Sequence, residues 1–110
     1  MKKAIVTGGS GLIGTGVCKA LLAKGWEVAS FDLKPGDGEA RHIDCDLGDE
    51  DSVKQAFETL GWSSLDLLVN NGGIADPVNG PLAELSLADW RKTIDSHLTG
   101  AFLMLSLIHI

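Results

Sequence analysis

Between an apolar triplet, Ala4-Ile5-Val6, and a stretch of helical spacing lies Thr7-Gly8-Gly9-Ser10-Gly11-Leu12-Ile13-Gly14. Glycines also mark ordinary turns, so the position of this run, where a strand hands over to a helix, carries the inference. Glycine at such a place lets the chain turn tightly, brings backbone close to a phosphate and lets the new helix pack without a Cβ in the way. The start of the helix, Ser10 to Gly14, would then offer unpaired N–H groups and a partial positive charge to a diphosphate. Eighteen positions past Gly14 stands Asp32, followed by Leu33. An acidic residue there accepts hydrogen bonds from the ribose hydroxyls of a dinucleotide. It also repels a 2′-phosphate, by up to about 4 kcal/mol at ~4 Å and an effective dielectric near 20. The expected cofactor is therefore NAD rather than NADP.

The elements that must position these residues alternate. A helix is expected from Leu12 to Lys24, with Ile13, Val17, Ala20 and Leu21 on one face and Gly25 as its stop. Strands are expected over Glu27–Phe31 and Arg41–Cys45, separated by the loop Lys34-Pro35-Gly36-Asp37-Gly38, which is too short for an ordinary helix. Asp49, Glu50 and Asp51 open the next helix, whose stripe is Val53, Ala56, Phe57 and Leu60 and whose end is Gly61. Leu65–Val69 is an apolar run expected to be a strand covered on both faces, and it leads into Asn70-Asn71-Gly72-Gly73. After a loop with Pro77, Gly80 and Pro81, Ser86 caps a long helix that presents Trp90, Ile94, His97, Leu98, Ala101 and Leu105 on one face. This order predicts an α/β fold of Rossmann type: a parallel sheet of about four strands, order 3-2-1-4, with helices on both faces.

With 110 residues, 45% of them hydrophobic, the chain can build one core. Net charge −6 and scattered lysines and arginines exclude a nucleic-acid surface. An acidic chain can still bind an anionic cofactor through backbone N–H groups. Cys18 and Cys45 show no metal-ligand spacing and read as reduced core residues, so no metal is expected. Met1-Lys2-Lys3 is followed by too short an apolar run for a signal peptide, and Leu98–Ile110 is too short to span a bilayer. A cytoplasmic protein with no membrane partner is expected.

Taken together, Thr7-Gly8 with Gly14, Asp32, Asp46-Leu47, Asn70-Asn71-Gly72-Gly73 and His97-Leu98-Thr99-Gly100-Ala101-Phe102 resemble the short-chain dehydrogenase/reductase family. The resemblance implies hydride transfer between NAD and a small alcohol or carbonyl substrate, in a homo-oligomer. It implies that Asp46 meets the adenine amino group with Leu47 beside the ring, that Asn71, Gly72 and Gly73 line the cofactor, and that Ile94 approaches the adenosine end. Asn70-Asn71 would also tie the central strand to its neighbours. Three features depart from the pattern. Gly11 stands one position before the usual middle glycine, where this chain has Leu12, a spacing closer to the nucleotide-sugar epimerases and dehydratases of the extended branch. His97 occupies the place of an Asn that helps hold a water in a proton relay; it should point inward, either as a relay group or as a core histidine on a backbone carbonyl. The family's Ser and Tyr-x-x-x-Lys are absent, and the chain holds no tyrosine. The resemblance thus implies an incomplete, cofactor-binding amino-terminal half; a small noncatalytic dinucleotide-binding protein is the other class that fits.

Overall fold

The computed structural model describes residues 1–73 and 81–109; the expectations for Pro77, Gly80 and Ile110 lie outside them. Strand β1 (Lys3–Thr7) is followed by α1 (Leu12–Ala23), β2 (Glu27–Asp32), β3 (Arg41–Asp44), α2 (Glu50–Leu60) and β4 (Leu67–Val69). A 3-10 turn (Leu82–Glu84) leads to α3 (Leu87–Ile94), a π-helical turn (Asp95–Thr99) and α4 (Gly100–Leu107). The four strands form one parallel sheet in the order β3-β2-β1-β4. Val6 of β1 lies beside Ser30 of β2, and Ser30 beside His42 of β3.

Alternation along the strands divides the core between two faces. Ile5, Ala29, Phe31 and Ile43 point to the face covered by α2 and α4, where they meet Val53, Ala56, Leu60, Leu103 and Met104. Val6 and Val28 point the other way and pack with Cys18, Val17, Leu21 and Leu22 of α1. Helices thus cover both faces, as the alternation of elements requires.

The helix ends obey their local chemistry. Asp49 caps α2: its Oδ1 accepts from the N–H groups of Asp51 (3.0 Å) and Ser52 (3.4 Å), and Gly61 closes the helix at φ +67°. Ser86 caps α3 by accepting from the N–H of Asp89 at 3.1 Å. No side chain caps α1, which begins after Gly11.

Three expectations about faces are corrected. In α1 the inward positions are Gly14 and Cys18 with Val17, Leu21 and Leu22, while Leu12 and Ile13 are 94% and 71% exposed and Ala20 lies outside. β4 is shorter than expected and only half-buried, because among the described residues it pairs with β1 alone and is a sheet edge. The last helix contains the π-helical turn, and its inward stripe is not the expected one. Its buried residues are Ser96, Gly100, Leu103 and Met104, whereas Trp90, His97, Leu98 and Leu105 are exposed.

Candidate active site

Everything at the site hangs on the carboxyl end of β1. Thr7 is 1% exposed, and its Oγ1 donates to the carbonyl of Val69 (3.3 Å) while accepting from the N–H groups of Asn71 (3.0 Å) and Gly72 (2.8 Å). Asn71 answers with Nδ2, which donates to the carbonyls of Thr7 and Gly8, each at 3.3 Å. The turn after β1 is thereby stitched to the turn after β4. Gly8 sits there at φ +66°, in the left-handed region, and a Cβ on it would lie 2.8 Å from Gly72 Cα. The two turns meet backbone to backbone, which explains why both are glycine-rich.

Gly14 has a different part. A Cβ on it would fall on the Gly8 carbonyl oxygen and within 2.8 Å of Gly9 Cα. It therefore sets how closely α1 approaches its own lead-in turn. In front of that helix start opens a cleft of about 550 Å³, at the carboxyl ends of the strands. Gly8, Gly11, Leu12 and Ile13 line one side; Asp32, Leu33, Asp46 and Leu47 another; Asn71, Gly72 and Gly73 complete it. The structure thus brings most of the sequence-derived candidates together.

Asp32 is half-buried at the end of β2. Its Oδ2 accepts the N–H of Ser10 at 3.1 Å and its Oδ1 that of Lys34 at 3.4 Å, so the glycine-rich turn orients the carboxylate. Asp46 makes a local turn, with Oδ1 accepting the N–H of Gly48 at 3.0 Å, and its own N–H donates to Ser52 Oγ at 2.8 Å. Beside them Cys45 is buried, and its thiol is pushed up to about 12 by burial first and then by the negative charges of Asp46, Asp32 and Asp49.

Four expected residues are placed elsewhere. Ser10 faces a second cavity on the opposite side of the turn, with Oγ donating to the Lys34 carbonyl at 2.7 Å. Gly14 packs under the turn, and Ile94 lies off the cleft wall. His97 does not point into the core: its side chain is exposed and its imidazole lies against the Cα of Gly73. In place of Ile94 the last helix contributes Ser96, 4% exposed, through the π-helical turn. No residue type announces a π turn, so Ser96 carried no signal in the sequence. Phe31 of β2 and Cys45, just past the end of β3, also reach the cleft.

The pattern of the short chain dehydrogenases matches residues 2–109. The chain belongs to the short-chain dehydrogenase family. Among the relatives of this chain is D-threitol dehydrogenase of Mycolicibacterium smegmatis, 35% identical over 94% of this chain and 44% of that protein. Another is cis-4-hydroxycyclohexanecarboxylate dehydrogenase of Sinomonas cyclohexanicum, 37% identical over 91% of this chain and 45% of that protein. The ligand-free structure of Thermoplasma acidophilum aldohexose dehydrogenase superposes with a TM-score of 0.87 at 30% identity, covering 96% of this chain and 42% of that one. A blue fluorescent protein from a metagenomic library, solved with NADPH, gives a TM-score of 0.83 at 30% identity, covering 98% of this chain and 50% of that one. The chain spans less than half the length of these curated relatives. The epimerase and dehydratase reading suggested by Gly11 is not favoured by these matches. Among the described residues, no helix is long and apolar enough to cross a membrane.

Proposed function

We propose that these residues form the coenzyme-binding part of an NAD-dependent dehydrogenase that oxidises a small hydroxylated compound or reduces the matching carbonyl. One observation carries the reading. The amino end of α1, without a capping side chain, opens onto the cleft beside Gly8 and Gly11, while the carboxylate of Asp32 is held at the same cleft. In contrast, α2 and α3 close their first turns with Asp49 and Ser86. Uncapped N–H groups and the helix dipole suit a diphosphate, and the absence of a Cβ at Gly8 and Gly11 leaves room for it. Bound there, the coenzyme would supply or accept the hydride.

In this proposal Leu12 and Ile13 present the backbone N–H groups, Gly11, whose own N–H donates to the Gly8 carbonyl at 3.1 Å, lets the diphosphate approach without a Cβ, and Asp32 takes the adenosine ribose hydroxyls, with Leu33 alongside. Asp46 and Leu47 hold the adenine, and Asn71, Gly72 and Gly73 form the opposite wall. His97, against Gly73, is our candidate for holding or passing on a proton, because an imidazole both donates and accepts. The related dehydrogenases act on D-threitol and cis-4-hydroxycyclohexanecarboxylate by name, which supports a hydroxylated substrate. The exposed apolar run of Leu98, Phe102 and Leu105 on α4 and the turn before it supports pairing with a second copy. Buried, unpaired Cys18 and Cys45 fit the reducing conditions of a cytoplasm.

Calorimetric titration with NAD and with NADP tests the reading. NAD should bind and NADP should bind more weakly, because a 2′-phosphate would meet Asp32. Equal affinities would remove the assignment of Asp32, and no heat with either coenzyme from the folded chain would remove the proposal.

A further inference from the structure

Residues 33–40 carry β2 to β3 without a helix, in a connection shorter than the dozen or more residues of an ordinary parallel crossover. On the α1 side of the sheet, β2 and β3 therefore lack the second helix that would cover them. A cavity of about 520 Å³ lies there, walled by α1 through Cys18 and Leu22 and by the connection through Gly36–Ala40. Gly9 and Ser10 separate it from the coenzyme cleft.

Ser30 and His42, neighbours in register on β2 and β3, both line this cavity. Ser30 is 4% exposed. Among the described residues, Ser30 Oγ and His42 Nδ1 are the two buried side-chain polar atoms without a hydrogen-bond partner. Buried polar atoms are almost always paired, and each unpaired one weakens the fold until a partner arrives. That both occur side by side in one cavity singles it out from a merely uncovered stretch of sheet.

The chemistry of the floor selects the ligand. His42 Nε2 lies 2.6 Å from Asp44 Oδ1; in the tautomer that carries its proton on Nε2 the ring donates there, and Nδ1 is then an acceptor in need of a donor. Ser30 can donate or accept. A hydroxyl satisfies both at once, donating to Nδ1 and accepting from Oγ–H. An anion would set lone pairs against Nδ1 and would face Asp37 and Glu39 on the wall, with Lys19 alone to balance them. Leu22, Ala23 and Ala40 supply apolar surface for a carbon skeleton. We propose that this cavity is a second small-molecule site, separate from the coenzyme cleft, that takes a neutral polyhydroxylated compound and engages one of its hydroxyls with Ser30 and His42.

Proton–nitrogen correlation spectra of the full 110-residue chain, titrated with sorbitol and separately with gluconate, test this. Sorbitol should give saturable shifts at the amides of Leu22, Ser30, Ala40 and His42, with gluconate weaker. Ser30→Ala and His42→Phe each remove one partner and should weaken sorbitol by up to about tenfold. Either variant suffices if the other does not fold. Absence of saturable shifts at these amides overturns the proposal, as do shifts centred on Leu47 and Gly72, gluconate binding as tightly as sorbitol, or affinity unchanged in a folded variant.

Discussion

Two glycines in α1, two positions apart, should respond in opposite directions to the same substitution. Alanine exceeds glycine by about 1 kcal/mol in a helix interior. At Gly16 nothing lies within 4 Å of an added Cβ, so Gly16→Ala should collect most of that gain. At Gly14 the new Cβ meets the Gly8 carbonyl oxygen and comes within 2.8 Å of both Gly8 C and Gly9 Cα. All three atoms are backbone, held by the bond from Gly8 N–H to the Phe31 carbonyl at 2.8 Å and by the Thr7–Asn71 stitching, so none can swing aside. Overpacking of this kind costs about 1–3 kcal/mol, which exceeds the helix gain or at best cancels it. The two variants should therefore differ by roughly 1–3 kcal/mol. With a urea slope of about 1–3 kcal/mol per molar, their midpoints should separate by something near 1 M, at unchanged slope. Urea unfolding monitored by far-ultraviolet circular dichroism reads this directly. If Gly14→Ala unfolds at the same midpoint as Gly16→Ala, the close approach of helix and turn is not what glycine provides at position 14.

Three further perturbations probe the same geometry. Thr7→Val keeps the shape but strips the N–H groups of Asn71 and Gly72 of their acceptor, and should cost about 2–4 kcal/mol in urea unfolding, while Thr7→Ser should retain most of the stability. Asp32→Asn removes the charge facing a 2′-phosphate and should raise NADP affinity toward that of NAD, by as much as about a thousandfold; an unchanged preference would clear Asp32 of that role. Cys45, pushed up from 9.0 to about 12 in the fold, ionises in the unfolded chain first. Its contribution is therefore complete below pH 9 and is lost as pH rises toward 12, at up to roughly 1.4 kcal/mol per unit. Cys45→Ala should flatten that alkaline decline in unfolding free energy, and an equally steep decline in the variant would refute the linkage.

The acidic start of α2 at Asp49, the cap at Ser86 and the stops at Gly25 and Gly61 were legible in the sequence because each rests on a local pattern, and the sheet order followed from the parallel topology that alternating strands and helices imply. Exposed apolar residues were harder to read. Ile13 was expected on the inward face by its helical spacing and hydropathy, yet together with Leu12 it flanks the cleft instead of the core. Periodicity reports that a residue is apolar and cannot tell a core contact from a wall kept for something else. The last helix defeats the pattern for another reason. The inward residues Ser96, Gly100, Leu103 and Met104 keep helical spacing, but two of the four are small or polar, whereas the apolar Trp90, Leu98, Phe102 and Leu105 lie outside, so hydropathy picks the wrong stripe.

Backbone does most of the building at this site, and side chains hold the backbone. The polar side chains near the cleft bond to the protein's own backbone: Thr7 and Asn71 on each other's turns, Ser10 on the Lys34 carbonyl, and Asp32 and Asp46 on nearby N–H groups. The charge of the chain accounts for this division. At −6 overall, with its lysines and arginines scattered, the protein has no cluster of cations to set against a diphosphate. Peptide N–H groups at a helix start can replace them, since they carry partial positive charge without a titrating group and arrive already oriented. Their orientation follows from the turn before α1, which is held by Gly8 N–H on the Phe31 carbonyl, Ser10 N–H on Asp32 and the Asn71 amide on the Thr7 and Gly8 carbonyls, while Thr7 Oγ1 holds Asn71 in place through its N–H. A change at Thr7 should accordingly weaken coenzyme binding and stability together, whereas a change at Asp32 should alter the choice of coenzyme and leave the fold in place.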